Sequence, residues 1–232
     1  MPKTIVVVGF GPGISTAVAE TFGAQGFCVA LVARNAERLA AGVAALKARG
    51  VTAAAFPADA ADPASIRAAL GRARAELGPL TVLHWNAYGG AEAGDLMATD
   101  PLAVGRVFDV AVVGLLAAVQ AALPDLKSTA EGAILVTNGA YGEVNPQVDE
   151  FAVGMKAMGV ALANAAKHKL VGLLSARLKG EGVYVGEVMV AGIVKGTAWD
   201  NGQGGIEGAA IADKFWKLYQ ARGAVRDRIA GF

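Results

Sequence analysis

Six short apolar runs with no polar face dominate the folding problem this chain poses: Thr4–Val8, Phe27–Ala33, Val51–Phe56, Leu80–Trp85, Ala133–Asn138 and Val183–Val190. A strand that is apolar on both faces must be covered on both, and the segments between these runs are alanine-rich and mostly of helical length. Strand and helix in alternation predict an α/β architecture. The expected form is a single-domain Rossmann fold over residues 1–232, a doubly wound, mostly parallel sheet of about seven strands with helices on both faces. Punctuation supports the alternation. Asp62-Pro63 caps and opens a helix to about Leu77 that Gly78-Pro79 closes, and Asp100-Pro101 opens the next.

Bulk properties exclude several functions. With 54% hydrophobic and 18% charged residues the chain is expected to be compact. A formal net charge of +1, without runs of Lys or Arg, offers no footprint for nucleic acid or an anionic membrane. The most lipid-like stretch, Val110–Val119, lies between Asp109 and Gln120 and falls short of the ~20 residues a bilayer span needs. No membrane partner is expected. The first strand starts after only Lys3, too soon for an export signal, and Cys28 is the sole cysteine, so a reducing, cytoplasmic setting is expected.

The chemistry-bearing signal lies between the first strand and the helix that begins near Ile14: Gly9-Phe10-Gly11-Pro12-Gly13. Glycines there let the backbone turn sharply and approach a diphosphate, whose charge meets free amides, Ile14's among them, and the positive end of the helix. A fold that prefers NAD places an acid on the ribose 2′-hydroxyl roughly 20 residues further on. This chain reads Val32-Ala33-Arg34-Asn35 there, and Arg34 offers a planar cationic fork suited to a 2′-phosphate. NADP(H) is therefore the preferred cofactor, with NAD(H) as the alternative.

From about Lys3 to about Tyr219 the chain resembles the short-chain dehydrogenase/reductase family. Its T-G-x-x-x-G-x-G turn is met here by Val8-Gly9-Phe10-Gly11-Pro12-Gly13-Ile14-Ser15, with Ser15 replacing the last glycine. Ala58-Asp59-Ala60 matches the aspartate that bonds the adenine. Asn86-Ala87 with Gly89 resembles the N-N-A-G segment, and Val190-Ala191-Gly192-Ile193-Val194-Lys195-Gly196-Thr197 resembles P-G-x-x-x-T, which makes Thr197 a cofactor contact.

The resemblance also implies an Asn-Ser-Tyr-Lys set, and here the chain departs from it. The asparagine position falls on Ala111, the serine on Gly139 beside Thr137 and Asn138, and the tyrosine on Ala152 next to Phe151. Lys156 is the retained lysine, with ribose binding as its implied role. Losing a general acid commonly costs 10²–10⁴-fold, so a replacement donor is needed. Tyr141 is the first candidate; Tyr88 and Tyr184 are others. His84 reads as a core histidine, His168 as solvated or at an interface, and no metal cluster is expected.

Residues 195–210, with the glycine-rich Trp199–Gly205, are expected to form a mobile lid. The segments Val110–Leu123 and Ala152–Ala166 are apolar nearly all round. Family members bury these helices against a twofold mate, which implies a homodimer or homotetramer. Two functions stay open: an NADP(H)-dependent oxidoreductase acting on a small carbonyl, enone or imine with a non-standard proton donor, or a catalytically silent NADP(H)-binding protein.

Overall fold

The computed structural model describes residues 2–202 and 205–231. Seven strands form one sheet: β1 (Thr4–Val8), β2 (Cys28–Ala33), β3 (Ala53–Pro57), β4 (Leu80–Trp85), β5 (Ala133–Gly139), β6 (Tyr184–Ala191) and β7 (Arg226–Ala230). Their order is β3-β2-β1-β4-β5-β6-β7, and every pairing is parallel. The sheet is thus wholly, not mostly, parallel. Winding runs outward in both directions from β1 and β4, so the carboxyl ends of these two strands flank the switch point where open α/β sheets take ligands.

The interiors of the runs bury both faces as expected. One face packs the layer formed by α1 (Ile14–Ala24) and α2 (Ala36–Ala48), through Ile5, Val7, Val18, Phe22 and Leu39. The other carries α3 (Pro63–Leu77), through Val6, Val8, Ile66, Leu70 and Trp85. Asp62 caps α3 by accepting the Ala64 N–H at 2.8 Å, and Gly78 closes it with φ +89°.

After β4 the chain runs through α4 (Pro101–Val104), a π-helical turn at Asp109–Gly114 and α5 (Leu115–Lys127). This run from Pro101 to Lys127 spans 27 residues and contains an 18-residue stretch with a mean hydropathy of 2.1, longer than the Val110–Val119 stretch expected, and would satisfy a membrane span by length and composition. Core helices pass the same test. Here Ala118, Val119, Ala122 and Leu126 pack into the core on the α3 face. Gly114 has no side chain because the Ala60 carbonyl occupies that space.

Beyond β5 lie α6 (Pro146–Gly154), α7 (Met158–Leu178) and, after β6, α8 (Gly208–Ala221). The Ala152–Ala166 segment expected as one helix is therefore two, broken at Met155–Ala157, with Lys156 at φ +50°. The break is imposed from outside: Gly94 O accepts the Met158 N–H at 3.2 Å and Ala93 O accepts the Gly159 N–H at 2.8 Å. The loop after β4 thereby fixes where α7 starts.

Candidate functional site

The glycine turn is built by contacts that only glycine tolerates. Gly9 has φ +83°, and a Cβ there would stand 2.6 Å from Ala87 Cα. Asn86 locks the same approach: its N–H donates to Val8 O at 2.8 Å and its Nδ2 to Gly9 O at 3.2 Å. Gly13, at φ +84°, faces Thr197, whose Cγ2 would lie 2.7 Å from an added Cβ. The fold thus brings Gly9, Gly13, Asn86, Ala87 and Thr197 together from three separate stretches of chain. Gly11 differs, since nothing crowds its Cβ position beyond Arg38 Nη1 at 3.7 Å.

Helix α1 begins at Ile14, and its first intrahelical bond is Ala17 N–H to Gly13 O at 3.1 Å. The N–H groups of Ile14, Ser15 and Thr16 find no protein acceptor among the described residues. Ser15, in place of the third glycine, is buried, and its hydroxyl accepts the Gly11 N–H and donates to Gly11 O, each at 2.8 Å. That exchange braces the turn from inside and leaves the helix end free for an anion.

Arg34 follows the last residue of β2 and is exposed. Asn35 caps α2 by accepting the Arg38 N–H at 2.8 Å, which sets Arg38 in the first turn with its guanidinium beside Gly11. Sequence reasoning misses Arg38, because its meaning depends on that cap. Asp59 lies past β3, where one carboxylate oxygen accepts the Ala61 N–H at 3.0 Å. Free amides at the start of α1, Arg38 beside Gly11 and Arg34 at the end of β2 together suit a dinucleotide diphosphate and a further phosphate.

The far end of the site is different. Gly139 ends β5, and the residue facing it is Asn164 of α7: an added Cβ would come 2.6 Å from Asn164 Nδ2. Lys156 is not placed there. It occupies the exposed turn between α6 and α7 and lies with its backbone against Gly94. Asn164, which sequence reasoning also misses, is on the face of α7 that continues through Lys167, Val171, Leu174 and Leu178, all buried. Two polar residues within an otherwise apolar stripe are the available signal.

A buried polar network sits behind it. Asn138 Nδ2 donates to Asn164 O at 3.0 Å and to Glu187 Oε1 at 2.7 Å, and its Oδ1 accepts the Gly139 N–H at 3.0 Å. Glu187 is fully buried; His168 Nδ1 lies 2.7 Å and Arg226 Nε 3.3 Å from its Oε2. His168 thus lies against Glu187 with its side chain one-third exposed, at the solvent edge of the network. Burial brings the Lys167 ammonium down to about 8, while Glu187 pulls it upward. A cavity of about 610 Å³ opens beside this network, lined by Glu143, His168, Glu187, Met189 and Arg228 among others.

The tyrosines take separate places. Tyr141, in the 3-10 turn Ala140–Gly142, stacks on Phe151 at 5.9 Å, and burial pushes its phenol above the usual value. Tyr88 is exposed on the loop after β4. Tyr184 is buried with its hydroxyl donating to Ala224 O at 2.5 Å, which removes it from the site. His84 is a core residue: Nε2 lies 3.1 Å from Thr137 Oγ1, and burial lowers its imidazole to about 3. No group of three or more metal-ligating side chains occurs among the described residues.

The profile of the short chain dehydrogenase family matches residues 3–199. The chain belongs to that family. Among curated relatives it is 42% identical over 81 residues to 2,3-dihydro-2,3-dihydroxybenzoate dehydrogenase of Bacillus subtilis, a match covering 35% of this chain and only 31% of that one. It is 29% identical over 171 residues to 3-oxoacyl-[acyl-carrier-protein] reductase of Staphylococcus aureus, covering 73% and 69% of the two chains. Among solved structures, the NADPH-bound short chain oxidoreductase of Pseudomonas aeruginosa PAO1, which contains an atypical catalytic center, superposes with a TM-score of 0.86 at 23% identity, over 99% of this chain and 95% of that one.

The segment expected as a lid closes at its base. Val194 and Ile206 form an isolated bridge, and Asp200 accepts the Gly196 and Gly202 N–H groups at 2.8 and 2.9 Å. Gln203 and Gly204, within the expected lid, lie outside the described residues.

Proposed function

We propose that this chain is an NADP(H)-dependent oxidoreductase acting on a small carbonyl, enone or imine without the family's tyrosine acid. The carrying observation is the set of free amides of Ile14, Ser15 and Thr16 at the start of α1, with Arg38 beside Gly11 and Arg34 at the end of β2. The Pseudomonas aeruginosa relative, which binds NADPH and has an atypical catalytic center, supports the same reading.

In this proposal Gly9, Gly11, Gly13 and Ile14 hold the diphosphate, Arg34 with Arg38 takes the 2′-phosphate, and Asp59 meets the adenine. Asn86, Ala87 and Thr197 close the site from the β4 and β6 sides, while Lys156, the family's ribose-binding lysine by position, lies on the exposed α6–α7 turn. The bound nicotinamide would supply or accept two electrons and one hydrogen. The protein's own part is to bind, orient and shield.

A second reading, a catalytically silent NADP(H)-binding protein, is favoured by one observation: Tyr141 is pushed away from acidity by burial, with no charged group acting on it. A phenol so placed donates a hydrogen bond more readily than a proton. NADPH oxidation against a panel of carbonyls separates the two. Turnover with any member, reduced at least tenfold by Tyr141→Phe with NADPH affinity intact, supports an enzyme using that phenol. Tight NADPH binding with no oxidation supports the silent protein.

A homodimer or homotetramer is part of the proposal. Val113 and Leu116 on the π turn and α5, and Leu162 and Leu173 on α7, are exposed apolar side chains on the helices that family members bury against a mate.

A further inference from the structure

Asn164 is 6% exposed, and its carboxamide forms no hydrogen bond with any described residue. Its amide atoms are not sealed from solvent, so they are open to a ligand's oxygen and are not orphaned in the core. Asn164 Nδ2 fills the space beside Gly139, at the carboxyl end of β5, where open α/β sheets take ligands.

The backbone carrying the amide is fixed unusually firmly. Asn138 holds Asn164 O on one side and buried Glu187 on the other, and Glu187 is itself bonded by Arg226, with His168 Nδ1 2.7 Å away. Four residues from β5, β6, α7 and β7 thus define one amide's location while leaving its polar atoms unpaired.

We infer that Asn164 is the substrate-gripping residue of this site: its carboxamide N–H donates to the oxygen of a small carbonyl bound at the end of β5. The inference rests on the NADP(H) reading only in placing that carbonyl beside the cofactor. Asn164 orients and polarises the carbonyl but cannot protonate it, since an amide holds its protons far too tightly. Asn138 and Glu187 are positioning residues that act through Asn164.

The test uses the full-length, 15N-labelled chain, with and without NADP+, titrated with cyclohexanone while the side-chain amide resonances are followed. The Asn164 resonance is the one lost in Asn164→Asp. The expected result is a downfield proton shift of that resonance that saturates with the ketone, and ketone binding by calorimetry at least tenfold weaker in Asn164→Leu. In Asn164→Asp the ketone should bind at low pH, where the carboxylic acid donates, and be lost as the carboxylate forms. A merely structural asparagine would give no such pH profile. An Asn164 resonance unmoved by saturating cyclohexanone in both conditions, or equal affinity in all three proteins at every pH, overturns the inference. Failure of NADP+ to bind removes the cofactor reading instead, because the cofactor-free titration still reports on Asn164.

Discussion

The three glycines of the nucleotide turn make separable demands, and two single substitutions tell a structural glycine from a ligand-facing one. Gly9→Ala places a methyl-bearing residue at φ +83°, which costs about 1–2 kcal/mol for an L-residue. The new Cβ would also stand 2.6 Å from Ala87 Cα, backbone that Asn86 ties to Val8 and Gly9. Strain and clash together bring the cost to about 3 kcal/mol, and at ~2–4 °C per kcal/mol for a domain of this size the melting temperature should fall by about 6–12 °C. Gly11→Ala meets only Arg38 Nη1 at 3.7 Å, an ordinary contact. It should leave stability unchanged or raise it by ~0.4–1 kcal/mol through the unfolded chain. Only a diphosphate resting on the turn would encounter that methyl, so NADPH affinity should fall at least tenfold, about 1.4 kcal/mol, while the fold stays intact. Scanning calorimetry reads the first quantity and titration calorimetry the second. Gly11→Ala binding NADPH within twofold of the parent would refute the placement of the diphosphate against this backbone.

Arg34→Ala should weaken NADPH by ~10–100-fold, the value of a charge-assisted bond, and NADH by less than threefold; equal losses in titration calorimetry would abolish the preference for NADP(H). His84 stays neutral in the fold down to about pH 3, whereas the unfolded chain takes a proton below its ordinary value of about 6.5. Stability present above pH 6.5 should therefore be lost as the pH falls from 6.5 toward 3, by up to ~1.4 kcal/mol per pH unit, and His84→Leu should flatten that acid limb in urea unfolding at pH 7 and pH 5. Leu173→Arg combined with Val113→Arg should convert the proposed oligomer to a monomer by sedimentation velocity; an unchanged mass would place the interface elsewhere.

Sequence alone makes the inner sheet legible because its strands carry their burial openly. β1 and β4 begin and end where the apolar runs do, and Asp62, Pro63 and Gly78 bound α3 as capping chemistry requires. β7 carries no such mark. It is an edge strand whose residues Arg226, Asp227 and Arg228 answer to Glu187, Lys214 and Glu143, so its composition follows ion pairs, not burial. The break between α6 and α7 is hidden for another reason: no proline marks it, and its cause is the loop at Ala93 and Gly94, some sixty positions away. Counting positions forward from β5 through that break leads to Lys156. The buried stripe read backward from Leu178 leads to Lys167 and Asn164.

That shift in register changes the chemistry expected of the site. The nucleotide end depends on backbone amides and glycine contacts, which persist as long as β1, α1 and the β4 and β6 loops keep their places. The other end depends on particular side chains, and there the fold offers donors that do not ionise readily: an amide at Asn164 and a phenol at Tyr141 that burial moves further from acidity. Such groups can stabilise negative charge on an oxygen by preorganised hydrogen bonding. Burial brings the Lys167 ammonium, in the same α7 stripe as Asn164, down to about 8, while Glu187 pulls it upward.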